Sequence, residues 1–226
     1  MNNIPYSTIS VTGTDAFDFL QAQLAADLTD LPVSGLAAWC NPKGRVICLF
    51  RAHRAEHGFD LALPAELADD AVRWLTMFRF RSKVDFDTRD ADGDRLGITG
   101  SYNEWRLANL RAGVPEILAP QSEEFTPHML NLDLLGAVSV NKGCYPGQEI
   151  VARTHFRGAT KRRMLRFEST APVSPGDKVS LDGRDVGEVL NAIGNDLLAV
   201  VPVANAGDDL TVNGVQLANL PLPYLE

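Results

Sequence analysis

Long apolar runs are missing from this chain. None reaches the ~18 residues that a membrane-spanning helix needs, and the opening Met-Asn-Asn-Ile-Pro-Tyr has neither the basic nor the apolar region of a signal peptide. Both absences point to the cytoplasm and to no membrane partner. Cysteine is scarce: Cys40, Cys48 and Cys144 are the three in 226 residues, an odd count that argues against a disulfide framework and fits a reducing compartment. There is no Cys-x-x-Cys pair, and no preformed metal site is expected. Gly158 is not part of a phosphate loop, because the terminal Gly-Lys-Ser/Thr is absent. Gly93, Gly97 and Gly100 do not form a dinucleotide fingerprint and read as turns and strand ends.

What is present is an ordinary globular composition, 45% hydrophobic and 22% charged, in a length that suits one large domain or two smaller ones. The net charge of −8 is unevenly spread. Residues 142–166 hold seven Lys/Arg and one acid (Glu149), a local +6 that leaves −14 on the remainder. A basic island on an acidic protein suits one anionic ligand or partner; a solvated basic helix end paired with the acidic remainder is the plainer reading. The acidic whole, and the few aromatics among the basic residues, argue against direct nucleic-acid binding.

The densest chemistry lies at Lys142-Gly-Cys-Tyr-Pro-Gly-Gln-Glu149. Cys144 sits in a Gly/Pro turn, followed by helical spacing over Gln148 to Phe156 and by Arg153, Arg157, Lys161, Arg162, Arg163 and Arg166. A thiol before a helix N-terminus and near cations is in surroundings that favour thiolate; a structural turn holding a small residue is the plain alternative. His155 is a poor base for it. Eleven residues of helix separate the two by ~16 Å. His53, His57 and His128 stay open as partners. No oxyanion-hole or Ser/His/Asp pattern is visible. Tyr6 and Trp105 could stack on a flat heterocycle, although core packing is the commoner fate of such rings.

The coarse pattern is mixed α and β. Strands are expected at 4–12, 36–40 and 45–50 (a hairpin around Asn-Pro-Lys-Gly44), 59–63, 83–86, 95–99 and 137–140. Thr14-Asp15 can cap a helix that places Phe17, Leu20, Leu24 and Leu28 on one face. Pro64 suits the first turn of a helix running to about Phe78, and Glu104 to Arg111 reads as another, stopped by Gly113 and Pro115. After about Ala159 no helix is evident. Strands at 164–169, 178–181, 185–192, 197–203 and 210–217 suggest a small β-barrel or sandwich.

Lys142 to Glu149, continued by Ile-Val-Ala-Arg153 and Phe-Arg-Gly-Ala-Thr-Lys-Arg162, closely resembles the signature of the YgfZ family, folate-binding proteins related to the T-protein (aminomethyltransferase) of the glycine cleavage system. The likeness extends to Val11-Thr-Gly-Thr-Asp15, Ala38-Trp-Cys-Asn-Pro-Lys-Gly44, Phe80-Arg-Ser-Lys-Val84, Trp105 with Ala112-Gly-Val-Pro115, and Pro221-Leu-Pro-Tyr224. It implies an α+β, T-protein-like fold of ferredoxin-like units around a folate pocket (1–160), then a C-terminal β-barrel domain (161–226). It also implies a folate-dependent accessory protein for iron–sulfur cluster assembly or repair that supports tRNA modification indirectly. Tetrahydrofolate or another folate would be the ligand, and iron–sulfur client enzymes or assembly factors the partners. By position, Cys144 matches the functional thiol, Tyr6 and Trp105 the folate-site aromatics, and Lys142, Gly143, Tyr145, Gly147, Gln148, Glu149 and Arg153 the motif.

Two departures stand out. Only Gly100 to Asn103 joins segments that longer members separate by an extra stretch, and Arg111 stands where many relatives have an acid. A tetrahydrofolate-dependent aminomethyltransferase-like one-carbon transferase is the alternative function. That family's catalytic Asp is not evident, since the matching positions hold Ile47 and Cys48, and whether the protein is an enzyme is left open.

Overall fold

The computed structural model describes residues 4–158 and 160–225; the opening Met-Asn-Asn and Ala159, both quoted above, lie outside the described residues. The elements begin with β1 (Tyr6–Thr12), α1 (Ala16–Gln23), β2 (Ser34–Cys40), β3 (Val46–Ala55), β4 (Gly58–Pro64), α2 (Ala68–Phe78), β5 (Asp85–Asp90) and α3 (Gly93–Leu96). They continue with α4 (Tyr102–Arg111), α5 (Gln148–Arg157), β6 (Arg162–Ser169), β7 (Lys178–Leu181), β8 (Arg184–Ile193), β9 (Asp196–Pro202), β10 (Thr211–Val212) and β11 (Val215–Leu220). Two compact units divide the chain. One comprises Met1–Thr99, Ile117–Pro127 and Leu132–Arg153; the other comprises Gly100–Glu116, His128–Asn131 and Thr154–Glu226. Among the described residues no helix is long and apolar enough to cross a membrane.

The first unit is built on an antiparallel sheet in the order β2-β3-β4-β1-β5. Alternation gives each strand two faces. Ile9 and Val11, Phe50 and Ala52, and Phe59, Leu61 and Leu63 point into one core with Phe19 and Leu20 of α1 and Ala71 and Leu75 of α2. Each fully buried Leu there contributes ~2 kcal/mol of transfer free energy. The other face carries Thr8, Ser10, Arg51, His53 and Asp60, and that polar face matters below.

Several local expectations are corrected. Helix α1 ends at Gln23 with Leu24 as its C-cap, so Leu28 lies beyond the helix. Its buried residues are Ala16, Phe19 and Leu20, and Phe17 is exposed. Asp15 makes no side-chain cap; its carboxylate accepts from the Lys83 N–H at 2.8 Å instead. Pro64 precedes a short 3-10 turn, Ala65–Leu67, that leads into α2. Residues 95–99 are not a strand. The Asp92 carboxylate accepts from the Asp94 N–H and Gly97 (φ 74°) closes the turn, so Gly93–Leu96 is helical. Residues 137–140 are irregular, yet they dock by two backbone bonds, Ala38 N–H to Ala137 O at 2.9 Å and Ser139 N–H to Ala25 O at 2.8 Å.

The second unit contains a closed antiparallel barrel, β10-β11-β6-β9-β8-β7, as the alternation after residue 159 anticipates. Leu197, Ala199 and Val201 of β9 point inward with Phe167, Val179 and Val189. The expected strand 210–217 is a hairpin that turns at Asn213-Gly214, both at positive φ. The fold is therefore α+β with a C-terminal β-barrel. Helix α4 is held to the barrel by amides and ions. The Asn191 side chain pairs both ways with the Glu116 backbone (2.9 and 2.8 Å), and the Asp196 carboxylate binds Arg111 and Arg166.

Candidate functional site

Cys144 is an exposed free thiol, four residues before the start of α5. The loop that carries it is pinned on both sides. Lys142 is buried, and its ammonium donates to the carbonyls of Gln21, Leu24 and Ala26 at 2.5, 2.8 and 2.8 Å. A cation there satisfies the unpaired carbonyls at the C-terminal end of α1 and opposes its dipole. Burial pulls its pKa down to about 8, against the favourable charge of Asp27. On the other side Tyr145 is buried, donates from its hydroxyl to Ser139 O at 3.2 Å, and lies 5.5 Å beneath the Lys142 ammonium. Burial pushes the Tyr145 phenol up.

Gly147 completes the anchorage. Its φ is 81°, and a Cβ there would stand 2.4 Å from Asn41 O and 2.8 Å from Gly44 Cα. The Asn-Pro-Lys-Gly44 turn of the β2–β3 hairpin thus packs directly on the turn after the cysteine, which only glycine permits. Gln148 donates to Lys142 O at 3.4 Å. Glu149 and Arg153 form an exposed ion pair at 3.0 Å, a contact of small energetic weight. Gly143 has open space where a Cβ would stand. The motif residues therefore fall into two groups: Lys142, Tyr145 and Gly147 fix the backbone, and Cys144 is what they present.

The other two thiols are interior. Cys40 and Cys48 are buried, and burial pushes Cys40 up to about 12 and Cys48 well above the ordinary range. They act as small hydrophobes. His155 lies in the last turn of α5 with its ring 5.9 Å from that of His128.

Tyr6 and Trp105 belong to different units. Tyr6 is buried at the start of β1, on the polar face of its sheet. Trp105 is half-buried on α4, where it stacks on Tyr102 with ring centroids 5.7 Å apart. Around that pair the sequence reading missed a polar cluster. Tyr102 donates to Glu116 at 2.9 Å, Arg106 pairs with Glu116 at 2.8 Å, and the Arg106 guanidinium lies 5.7 Å from the Tyr102 ring. Arg111, flagged as a departure, is committed to Asp196.

A second feature had only a diffuse sequence signal, the polar residues alternating along β1, β3 and β4. On the polar face of the first unit's sheet lies a cavity of about 600 Å³, within the range of small-molecule sites. Thr8, Leu36, Arg51, His53, Asp60 and Arg95 are among its lining residues. Asp60 is buried, and burial alone would raise its pKa. Ser10, Arg89 and Arg95 outweigh that and hold the carboxylate below its usual value. Ser10 donates to it at 2.5 Å, Arg89 pairs at 2.8 Å, and Arg95 binds the same oxygen as Arg89.

Comparison with known proteins places the chain among relatives. Residues 161–221 match the family model described as CAF17, C-terminal beta-barrel domain. An uncharacterized protein of Haemophilus influenzae is 31% identical over 198 residues, covering 72% of this chain and 71% of that protein. The tRNA-modifying protein YgfZ of Klebsiella pneumoniae is 28% identical over 297 positions, covering 97% of this chain and 90% of its own. Those 297 aligned positions exceed the 226 residues present here, so that relative carries extra chain inside the matched span. The crystal structure of glycine cleavage system aminomethyltransferase T from Bartonella henselae superposes with a TM-score of 0.76, 16% identity, and coverage of 98% of this chain and 84% of that one. At that identity the likeness speaks for the fold alone.

Proposed function

Since this chain belongs to the YgfZ family, we propose that it is a folate-dependent accessory protein for iron–sulfur cluster assembly or repair, and that it supports tRNA modification indirectly through cluster-dependent enzymes. The observation that carries the proposal is the Cys144 loop. A single exposed thiol is presented by residues whose own side chains are spent on holding the backbone. Such a thiol suits contact with a partner or its cluster.

For the folate, the residues present fit a flat ring with an acidic tail. The cavity on the polar face is of small-molecule size, has apolar lining from Leu36 and Ala62, and carries Arg51 and Arg95. The cytoplasm and iron–sulfur partners complete the reading. The aminomethyltransferase alternative needs a carboxylate near the amine. The matching positions are a half-buried Ile47 and a fully buried Cys48, neither of which can serve.

The test is restoration of a cluster-dependent enzyme in cells lacking the protein. Cys144→Ala is expected to lose restoration while keeping the wild-type melting temperature, since the exposed thiol contributes within about 0.5 kcal/mol to stability. A folded Cys144→Ala protein that restores activity fully would end the proposal.

A further inference from the structure

Helix α2 ends in a turn whose sequence does not suit its backbone. The Arg79 N–H bonds to Thr76 O at 3.2 Å and the Ser82 N–H to Arg79 O at 2.8 Å, so Arg79 to Ser82 close a tight turn with Phe80 at its second position. Phe80 has φ 46° there. The left-handed region is unfavourable for any residue with a Cβ, and turn positions of positive φ are normally filled by Gly, Asn or Asp. Burial does not offset that cost, because Phe80 is 85% exposed. An aromatic that neither suits its backbone nor packs in the core has its use outside the folded chain.

Phe80 is not alone. Trp74 and Met77 are 42% and 58% exposed. They lie three residues apart on the solvent side of α2, and Phe80 follows three further on. Trp74 stacks on Phe78 with ring centroids 6.3 Å apart. It also lines a recess of about 230 Å³ with Ile47, Leu67, Ala71, Ser122 and Glu123, which has room for one bulky side chain. The charge around this ridge is sorted. Residues 73–83 hold Arg73, Arg79, Arg81 and Lys83 and no acid, a local +4 on a protein of net −8. Arg73 is paired with Asp70, and Arg79 is engaged by Val84 O at 3.2 Å and by Asp85 at 3.7 Å. Arg81 and Lys83 are exposed and follow Phe80 in the chain. Asp69 and Asp70 stand at the opposite end of α2.

We propose that Trp74, Met77 and Phe80, with Arg81 and Lys83, form a docking face for an acidic protein segment that lays apolar side chains on the ridge and sets carboxylates against the two cations. Aromatic, Met and Arg side chains are those that anchor interfaces, and the charges choose among occupants. A second copy bringing the same face would set Arg81 and Lys83 against themselves. An anionic bilayer or a nucleic acid, being an extended anionic surface, would meet Asp69, Asp70 and Asp85 and the net −8 as well. A protein segment meets the local +4 alone. On the functional reading above, which this inference deepens, the segment belongs to an iron–sulfur client or assembly factor.

The experiment places the photocrosslinker p-benzoylphenylalanine at Met77 of the full chain in cells and identifies the adduct by mass spectrometry, alone and combined with Phe80→Asn or with Arg81→Glu/Lys83→Glu. The same two variants without the crosslinker are scored for restoration of the cluster-dependent enzyme and for melting temperature. Asn tolerates the left-handed turn, so Phe80→Asn is expected to melt no lower than wild type; the charge variant changes exposed positions and tests the face independently. The expected result is a protein adduct through an Asp/Glu-rich segment, with its yield down roughly tenfold or more in either variant and restoration lost alongside. No adduct, an adduct with lipid, nucleic acid or a second copy, or a yield that both variants leave unchanged overturns the inference. Variants that restore the enzyme fully overturn it too. A wild type that restores nothing ends the functional reading, and the dependence of the adduct on Phe80 and the two cations then decides the docking face by itself.

Discussion

At the scale of single residues, the cysteine motif separates what is presented from what holds it. The sequence made the thiol legible: one cysteine in a Gly/Pro turn before helical spacing. It did not reveal why Lys142 stands two residues earlier, because the three carbonyls it serves lie 116 to 121 residues away. Counted as part of a basic island, Lys142 is in fact a buried helix cap. Replacing it with Met keeps much of the aliphatic stem and leaves those carbonyls unsatisfied, at a cost of about 3 kcal/mol. Urea unfolding measures this, and an Asp27→Asn control separates capping from the charge attraction of Asp27. A Lys142→Met protein as stable as wild type would mean that water replaces the ammonium without loss.

At the scale of elements, local signals were read well where one kind of pattern dominated and badly where two competed. The β2–β3 hairpin and the barrel strands follow plain alternation. Residues 95–99 contain alternating apolar positions too, yet the Asp92 cap and the αL glycine at 97 decide for helix. The chemistry of the two ends outweighs a period only five residues long. Helix α4 is the opposite case, with both end signals in agreement. The Ser101 hydroxyl accepts from the Glu104 N–H at 3.2 Å, and the Glu104 carboxylate accepts from the Ser101 N–H at 2.8 Å. Losing this capping box should cost about 1 kcal/mol. Ser101→Ala is expected to lower stability by that amount, and Ser101→Asp, which supplies another good cap, to recover most of it. Equal losses in both variants would show that the hydroxyl matters for something other than capping.

At the scale of the whole molecule, the α+β class and the C-terminal barrel were legible, because burial on one face of a strand imposes a period that any sequence must write down. The cavity was not, since it depends on register: Arg51, Ala62 and Thr8 become neighbours only when β3, β4 and β1 are aligned. Long-range burial has a further consequence in the response to alkali. Burial raises Cys40 to about 12; Cys48 is raised by burial and by Cys40, and Tyr145 by burial and by Cys40. In the unfolded chain these groups ionise near 8.5, 8.5 and 10. Above pH ~8.5 the unfolded state therefore releases protons that the folded state keeps, and stability falls as pH rises. Lys142 works in the other direction. Its folded value is about 8 and its ordinary one ~10.4, so within that window the unfolded chain holds a proton the folded one has lost, and stability rises. Between pH ~9 and ~10 the two cysteines oppose one lysine, a net of about one proton, or ~1.4 kcal/mol lost per pH unit. Chemical denaturation across that range should show the decline. Cys48→Ala removes one of the two opposing thiols and should flatten it. Cys40→Ala/Cys48→Ala should reverse its sign, leaving Lys142 to make the protein more stable as pH rises. A double variant that still loses stability with the wild-type slope would mean that the buried thiols do not govern the alkaline response.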